Sequence, residues 1–279
     1  MNFGERVSRW AESESFVEAL VLIGSQARSE SDQIWKSDSQ SDWDFQVITS
    51  RPEMFLDSTW AKSLGCEIRT YAVRRAALGD VPKPTIIFEG AESDFVILSS
   101  RTLKAARAAV QLGLHRRSKY IEQKLRSLAV VIRPGWKFLK GGDKWAPFFE
   151  KVVAEISDPR LSDDDIRRLA DVFVCDVVWM RRKLDRGEFL AAQRAYHHCL
   201  LETNFKLLHE LRLRSGQRSF PEIRRAERLL DQPQLAAVSG SVALNDASLR
   251  AGLEHASSTC RTFTAALVGS SWQWPSSLL

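Results

Sequence analysis

Asp42 and Asp44 stand two residues apart where an apolar run, residues 43–48 (WDFQVI), begins. Side chains alternate along a strand, so both carboxylates face the same way. Like charges held that close repel, and the pair makes chemical sense with a cation between them. A divalent metal escorting a nucleoside triphosphate meets that need. Upstream, the apolar run 19–23 (ALVLI) closes on Gly24-Ser25. A glycine at a strand end permits a tight turn and close approach of the backbone to a ligand. Ser25 can offer its hydroxyl and amide to phosphate oxygens. Taken singly, a Gly-Ser is an ordinary turn and an Asp-x-Asp an exposed strand face. In order, the strand, Gly-Ser, polar loop and Asp-Trp-Asp strand read as one site for phosphate and metal.

The elements that must position these residues alternate through the front of the chain. Residues 5–16 read as a helix, 19–23 as a buried strand and 43–48 as a second strand. Residues 52–64 read as helical and 67–73 as a third strand. The runs 85–88 (TIIF) and 94–98 (DFVIL) flank Glu89-Gly90-Ala91-Glu92, a hairpin signal. A helix over 101–126 and a short strand at 130–133 complete this half. Strands and helices mixed in this way predict an α+β fold with a mixed sheet. The pattern turns helical near residue 135, which predicts a sheet domain over 1–135 and an all-α bundle over 136–279. Ser162 with Asp165 three residues on makes a capping-box variant, and Gly187 ends the helix it starts. A second helix runs over 188–214, so the two form an antiparallel hairpin. Further helices are expected at 221–231 and 246–268.

Composition narrows the partners. A chain of 279 residues with 44% hydrophobic content can bury substantial cores. It has no apolar run of membrane-spanning length, and its start, MNFGERVSRWAESES, lacks a signal-peptide pattern, so a cytoplasmic protein away from membranes is expected. A net charge of +5 suits an anionic ligand such as a nucleotide and is too mild to demand nucleic acid. Cys66, Cys175, Cys199 and Cys260 lie far apart with no ligand-like spacing and read as reduced thiols.

The pattern Gly24-Ser25 … Asp42-Trp43-Asp44 resembles the signature of the polymerase-beta-type nucleotidyltransferase superfamily. The two-domain plan is similar to that of its antibiotic-modifying members, which act on aminoglycosides or lincosamides. The segment IIFEGAESDFVIL resembles the hairpin that carries their third carboxylate, matched here by Asp94. The helical segment VCDVVWMRRKLDRGEFLAAQ is similar to the carboxy-terminal domain of the lincosamide enzymes. The resemblance implies transfer of a nucleoside monophosphate, usually AMP from ATP, to a hydroxyl of a small acceptor, with Mg2+ as cofactor. It implies that Asp42 and Asp44 hold the metal. Asp94 then completes that site or acts as general base; the plain alternative is a solvated strand start, and Glu89 and Glu92 are reserves one slip of alignment away. Gly24, Ser25 and Arg28 fall at nucleotide-binding positions, although the stretch between Gly24 and Asp42 is longer than usual in the family and full of polar residues.

In the helical half, Asp176, Trp179 and Lys183 share one helix face. An acid and an aromatic together suit a cationic, hydroxyl-rich acceptor, and a solvated polar stripe is the equal alternative. Arg181-Arg182-Lys183 reads as a charge run complementing the helix dipole, and His197-His198 as structural. Expected partners are therefore a nucleoside triphosphate and a small hydroxyl-bearing acceptor, for a monomer or homodimer. The alternative function is that of a toxin–antitoxin-type nucleotidyltransferase modifying tRNA or a protein hydroxyl.

Overall fold

The computed structural model describes residues 2–29, 31–32, 34–76, 81–219 and 224–275. The chain divides into two compact units, Met1–Pro159 and Arg160–Leu279.

The first unit is a mixed sheet with helices on both faces. Helix α1 (Phe3–Ser13) leads into β1 (Val17–Ile23), and a 3-10 turn, Gly24–Ala27, follows. Then come β2 (Trp43–Thr49), a 3-10 turn at Pro52–Phe55, the single-turn α2 (Thr59–Lys62) and β3 (Ile68–Arg75). Strands β4 (Pro82–Phe88) and β5 (Ala91–Ser99) form the expected hairpin. Helices α3 (Ser100–Gln111) and α4 (Lys119–Ile132), strand β6 (Lys137–Lys140) and helix α5 (Gly142–Glu155) finish the unit. The strand order is β3-β4-β5-β2-β1-β6, and β2 with β5 is its parallel pair. One face packs Val7, Trp10, Phe45, Phe55, Trp60 and Phe95 under α1 and α2. The other packs Val21, Ile48, Val96 and Leu98 against α3, α4 and α5.

Four features of this unit depart from the sequence expectation. The strand expected at 130–133 is the end of α4: Leu125, Leu128, Ala129 and Ile132 keep helical spacing and are buried, which outweighs the β-propensity of Val130-Val131. The helix expected over 101–126 is two, divided at Gly113 with φ of +67°. Residues 52–64 hold only a 3-10 turn and one helical turn. The units divide after Pro159 rather than near 135 because β6 pairs with β1 and α5 buries Trp145, Phe148 and Phe149 against the sheet.

Glu18 ties this face together. It sits at a bulge in β1, where Val17 and Ala19 pair with Thr49 and Ile48 and leave it unmatched. Its carboxylate accepts from Lys104 of α3 at 2.9 Å and from Lys144 of α5. Burial alone would raise this carboxyl; hydrogen bonds from Lys144, Ser100 and Lys104 outweigh it and hold the group at about 2. Its folded value lies below its ordinary 4.5, so its contribution to stability is present above about pH 4.5 and lost as pH falls towards 2. Thermal melts of Glu18→Gln should therefore fall less steeply between pH 5 and 2 than those of the parent; superimposable pH profiles would contradict this.

The second unit is helical. Helix α6 (Asp163–Asp185) carries the expected capping box, with the Ser162 hydroxyl accepting from Asp165 N at 3.1 Å. Gly187, at φ of +70°, lies two residues past its end. Helix α7 (Phe189–Ala195), a π-helical segment (Tyr196–Leu201) and α8 (Glu202–Arg214) make the second long helix. Short helices α9 (Ala226–Leu229) and α10 (Gln232–Val238) replace the single helix expected over 221–231, whose residues 221–223 lie outside the described residues. Helix α11 (Asp246–Val268) packs on α6 and α8 around Phe173, Val177, Met180, Tyr196, Leu207 and Leu253. The fold class is thus the one expected, a mixed-sheet α+β region followed by a helical one. Among the described residues no helix is long and apolar enough to cross a membrane.

Candidate active site

The site grows from the amino ends of β2 and β5. Regular pairing places Ile23 of β1 beside Asp44, Asp44 beside Asp94, and Asp94 beside Thr85 of β4. Trp43 turns to the opposite face, where its ring lies against Gly4 of α1 and stacks on Phe45 at 6.0 Å. The alternation that packs this half-buried indole on one face therefore brings Asp42 and Asp44 out together on the other side. Ser93 fastens the two strands with a 2.9 Å hydrogen bond to the Trp43 carbonyl. Asp42 enters β2 from a local turn in which Asp38 accepts from Gln40 N and the Ser41 hydroxyl, both at 3.0 Å.

One carboxylate oxygen from each of Asp42, Asp44 and Asp94 lies within 4.8 Å of the other two. At that spacing like charges repel by roughly 3 kcal/mol per pair at an effective dielectric near 20. Asp94 has direct compensation: Lys83 Nζ stands 2.5 Å from its Oδ2, and the Thr85 hydroxyl donates to its Oδ1 at 2.6 Å. The Asp94 side chain is only 14% exposed. Three carboxylates and no nitrogen or sulfur donor make a set suited to a hard divalent ion such as magnesium or manganese.

Gly24 is built into the same wall. Its φ is +70°, and a Cβ there would lie 2.2 Å from Asp44 Oδ2. Only glycine lets the backbone pass so close to this carboxylate. Ser25 follows as the second residue of the 3-10 turn. Arg28 closes that turn; its guanidinium donates to the Trp35 carbonyl at 3.3 Å and lies 5.5 Å from the Trp35 ring centroid. The long polar stretch noted in the sequence is thus organised around a buried tryptophan, with Asp32 accepting from Trp35 N at 3.2 Å. Glu89 pairs with Arg69 at 3.3 Å on the surface, and neither it nor Glu92 joins the three-carboxylate cluster among the described residues.

In the second unit, Lys183 lies 5.2 Å from the Trp179 ring centroid and pairs with Glu188 at 2.6 Å. The trio on α6 is thus brought together in part, with Lys183 also closing the helix end. Burial pushes the half-buried Asp176 carboxyl up, and burial followed by the nearby Asp176 charge pushes the Cys199 thiol up.

Lys83 and Thr85 escaped the sequence reading. Their signal was present in the hairpin: once Phe88 is opposed to Ala91 across Glu89-Gly90, counting back sets Thr85 opposite Asp94 and Lys83 on the same face.

No protein-family model matches the chain, and no curated protein matches it. Among solved structures it is similar to an aminoglycoside 6-adenyltransferase from Bacillus subtilis, at 13% identity and a TM-score of 0.40, over 99% of this chain and 94% of that one. It is also similar to a nucleotidyltransferase-like protein from Exiguobacterium sibiricum, at 14% identity and a TM-score of 0.36, over 94% of this chain and 73% of that one.

Proposed function

We propose that the chain is a nucleotidyltransferase that moves AMP from ATP onto a hydroxyl of a small acceptor, an antibiotic such as an aminoglycoside or a lincosamide, and releases pyrophosphate. The observation that carries this reading is the convergence of Asp42, Asp44 and Asp94 beside the Gly24-Ser25 turn. In the reaction the acceptor oxygen bonds to the α-phosphorus as the bond to pyrophosphate breaks, and the hydroxyl proton leaves to a base. Asp42, Asp44 and Asp94 would hold magnesium, which would supply positive charge to offset the charge building on the leaving group.

The chain's own residues divide the remaining work. Asp42 and Asp44 supply the main ligand oxygens. The Gly24 backbone leaves Asp44 room, and Ser25 offers its hydroxyl and amide to phosphate. Arg28 is assigned to the nucleotide. Thr85 orients Asp94, which either completes the ligand set or takes the acceptor proton. Lys83 offsets the Asp94 charge through their ion pair. On α6, Asp176 is assigned to an ammonium of the acceptor, with Trp179 and Lys183 beside it.

Replacing Lys83 by Met should leave the fold intact and lower kcat/KM by about 10–100-fold, the usual scale for a group that supports metal ligands. Unchanged steady-state kinetics would reduce Lys83 to a surface ion pair. The reading as a whole is tested by incubating the protein with ATP labelled on the α-phosphate, Mg2+ and a panel of aminoglycosides and lincosamides. Label appearing on one class of acceptor is the expected result. Label on tRNA or on protein instead would move the acceptor to the toxin–antitoxin kind. No transfer to any of them would count against the assignment.

A further inference from the structure

We propose that Gln46 is a positioning residue for the three-carboxylate site, holding the Asp44 carboxylate through its side-chain amide; this rests on the metal-site reading above. Gln46 is the fourth residue of β2 and is fully buried. Neither its Nε2 nor its Oε1 has a hydrogen-bond partner, and both atoms are shielded from solvent. A buried primary amide with both ends unmet destabilises a fold, and an apolar side chain of the same length would spare that cost. Its presence in this core therefore asks for a partner chemistry.

The register says where that chemistry lies. Pairing through this part of β2 is regular, with Val21 beside Gln46 on β1 and Val96 beside it on β5. Gln46 therefore projects to the same face as Asp44, two residues before it, and Ile48, two residues after. Val21, Val96 and Ile48 all belong to the apolar core under α3, α4 and α5. Sideways and further along the strand the neighbours are thus hydrocarbon. Along β2 towards its amino end stands a carboxylate of the proposed metal site. Two residues of strand span about 6.6 Å, a gap that the two side chains can close towards each other once a metal draws the carboxylate into place. Nε2 donating towards Asp44 fixes the direction of its lone pairs, as outer hydrogen bonds do for metal-ligating carboxylates.

The test uses the full chain and Mn2+ alone, with free Mn2+ followed by electron paramagnetic resonance. The parent should bind the ion, and Gln46→Met, close in length and shape, should bind it about tenfold more weakly. Melts in EDTA should show Gln46→Met no less stable than the parent, because the change removes an unmet buried amide; a merely structural glutamine would leave the Mn2+ affinity unchanged and lower the melting temperature on replacement. Gln46→Leu repeats the measurement if the methionine protein fails to fold. An affinity within twofold of the parent overturns the assignment of Gln46 alone, whereas a parent that binds no Mn2+ overturns the metal-site reading itself.

Discussion

Asp44→Asn should abolish nucleotidyl transfer, lowering turnover by about 10³-fold or more, while the far-ultraviolet circular dichroism stays that of the parent. The substitution keeps the shape of the side chain, removes its charge and turns one acceptor oxygen into a donor. Asp44 is the central member of the cluster: it lies beside Asp94 across the β2–β5 pair and against the Gly24 backbone. An amide there offers one neutral oxygen where a hard cation needs an anionic one. Single-turnover rates with labelled ATP measure the effect directly. Turnover within tenfold of the parent would place the chemistry elsewhere.

Gly24→Ala should also lower the rate, by a different route. Its φ of +70° costs an alanine about 1–2 kcal/mol, and the new methyl would lie 2.2 Å from Asp44 Oδ2. The carboxylate has to move, and misplacing a reacting group by about 1 Å costs on the order of 10²-fold in rate. Gly65 supplies the control, since its φ is +67° and a Cβ there meets nothing within 4 Å. Gly65→Ala should share the backbone cost, with a similar fall in Tm, and keep kcat/KM. If Gly24→Ala is also lowered in Tm alone, the close approach to Asp44 has no functional meaning.

How much of this was legible in the chain depends on how local each cause is. Asp42 and Asp44 were legible because alternation along a single strand puts them on one face, and Gly24 because the apolar run before it stops there. Asp94 was reached through the resemblance of its hairpin to a known one. Lys83 and Thr85 were not, because they meet Asp94 only through the register between β4 and β5. Gln46 looked like one more strand residue; its isolation exists only when Val21, Val96 and three helices close over it. The end of α4 misled because Val130 and Val131 favour strands, while the buried spacing from Leu125 to Ile132 decides the outcome. In the second unit the capping box at Ser162 was readable from four residues. The π-helical segment at Tyr196–Leu201 left no residue signature, since a change of hydrogen-bond step leaves composition untouched.

Calorimetric titration of a nucleoside triphosphate with magnesium into the parent protein and Asp44→Asn tests the central claim, that three converging carboxylates hold a metal–nucleotide pair. The account predicts binding to the parent that EDTA abolishes and that the variant lacks. Equal heats from both proteins, or binding indifferent to the metal, would contradict it.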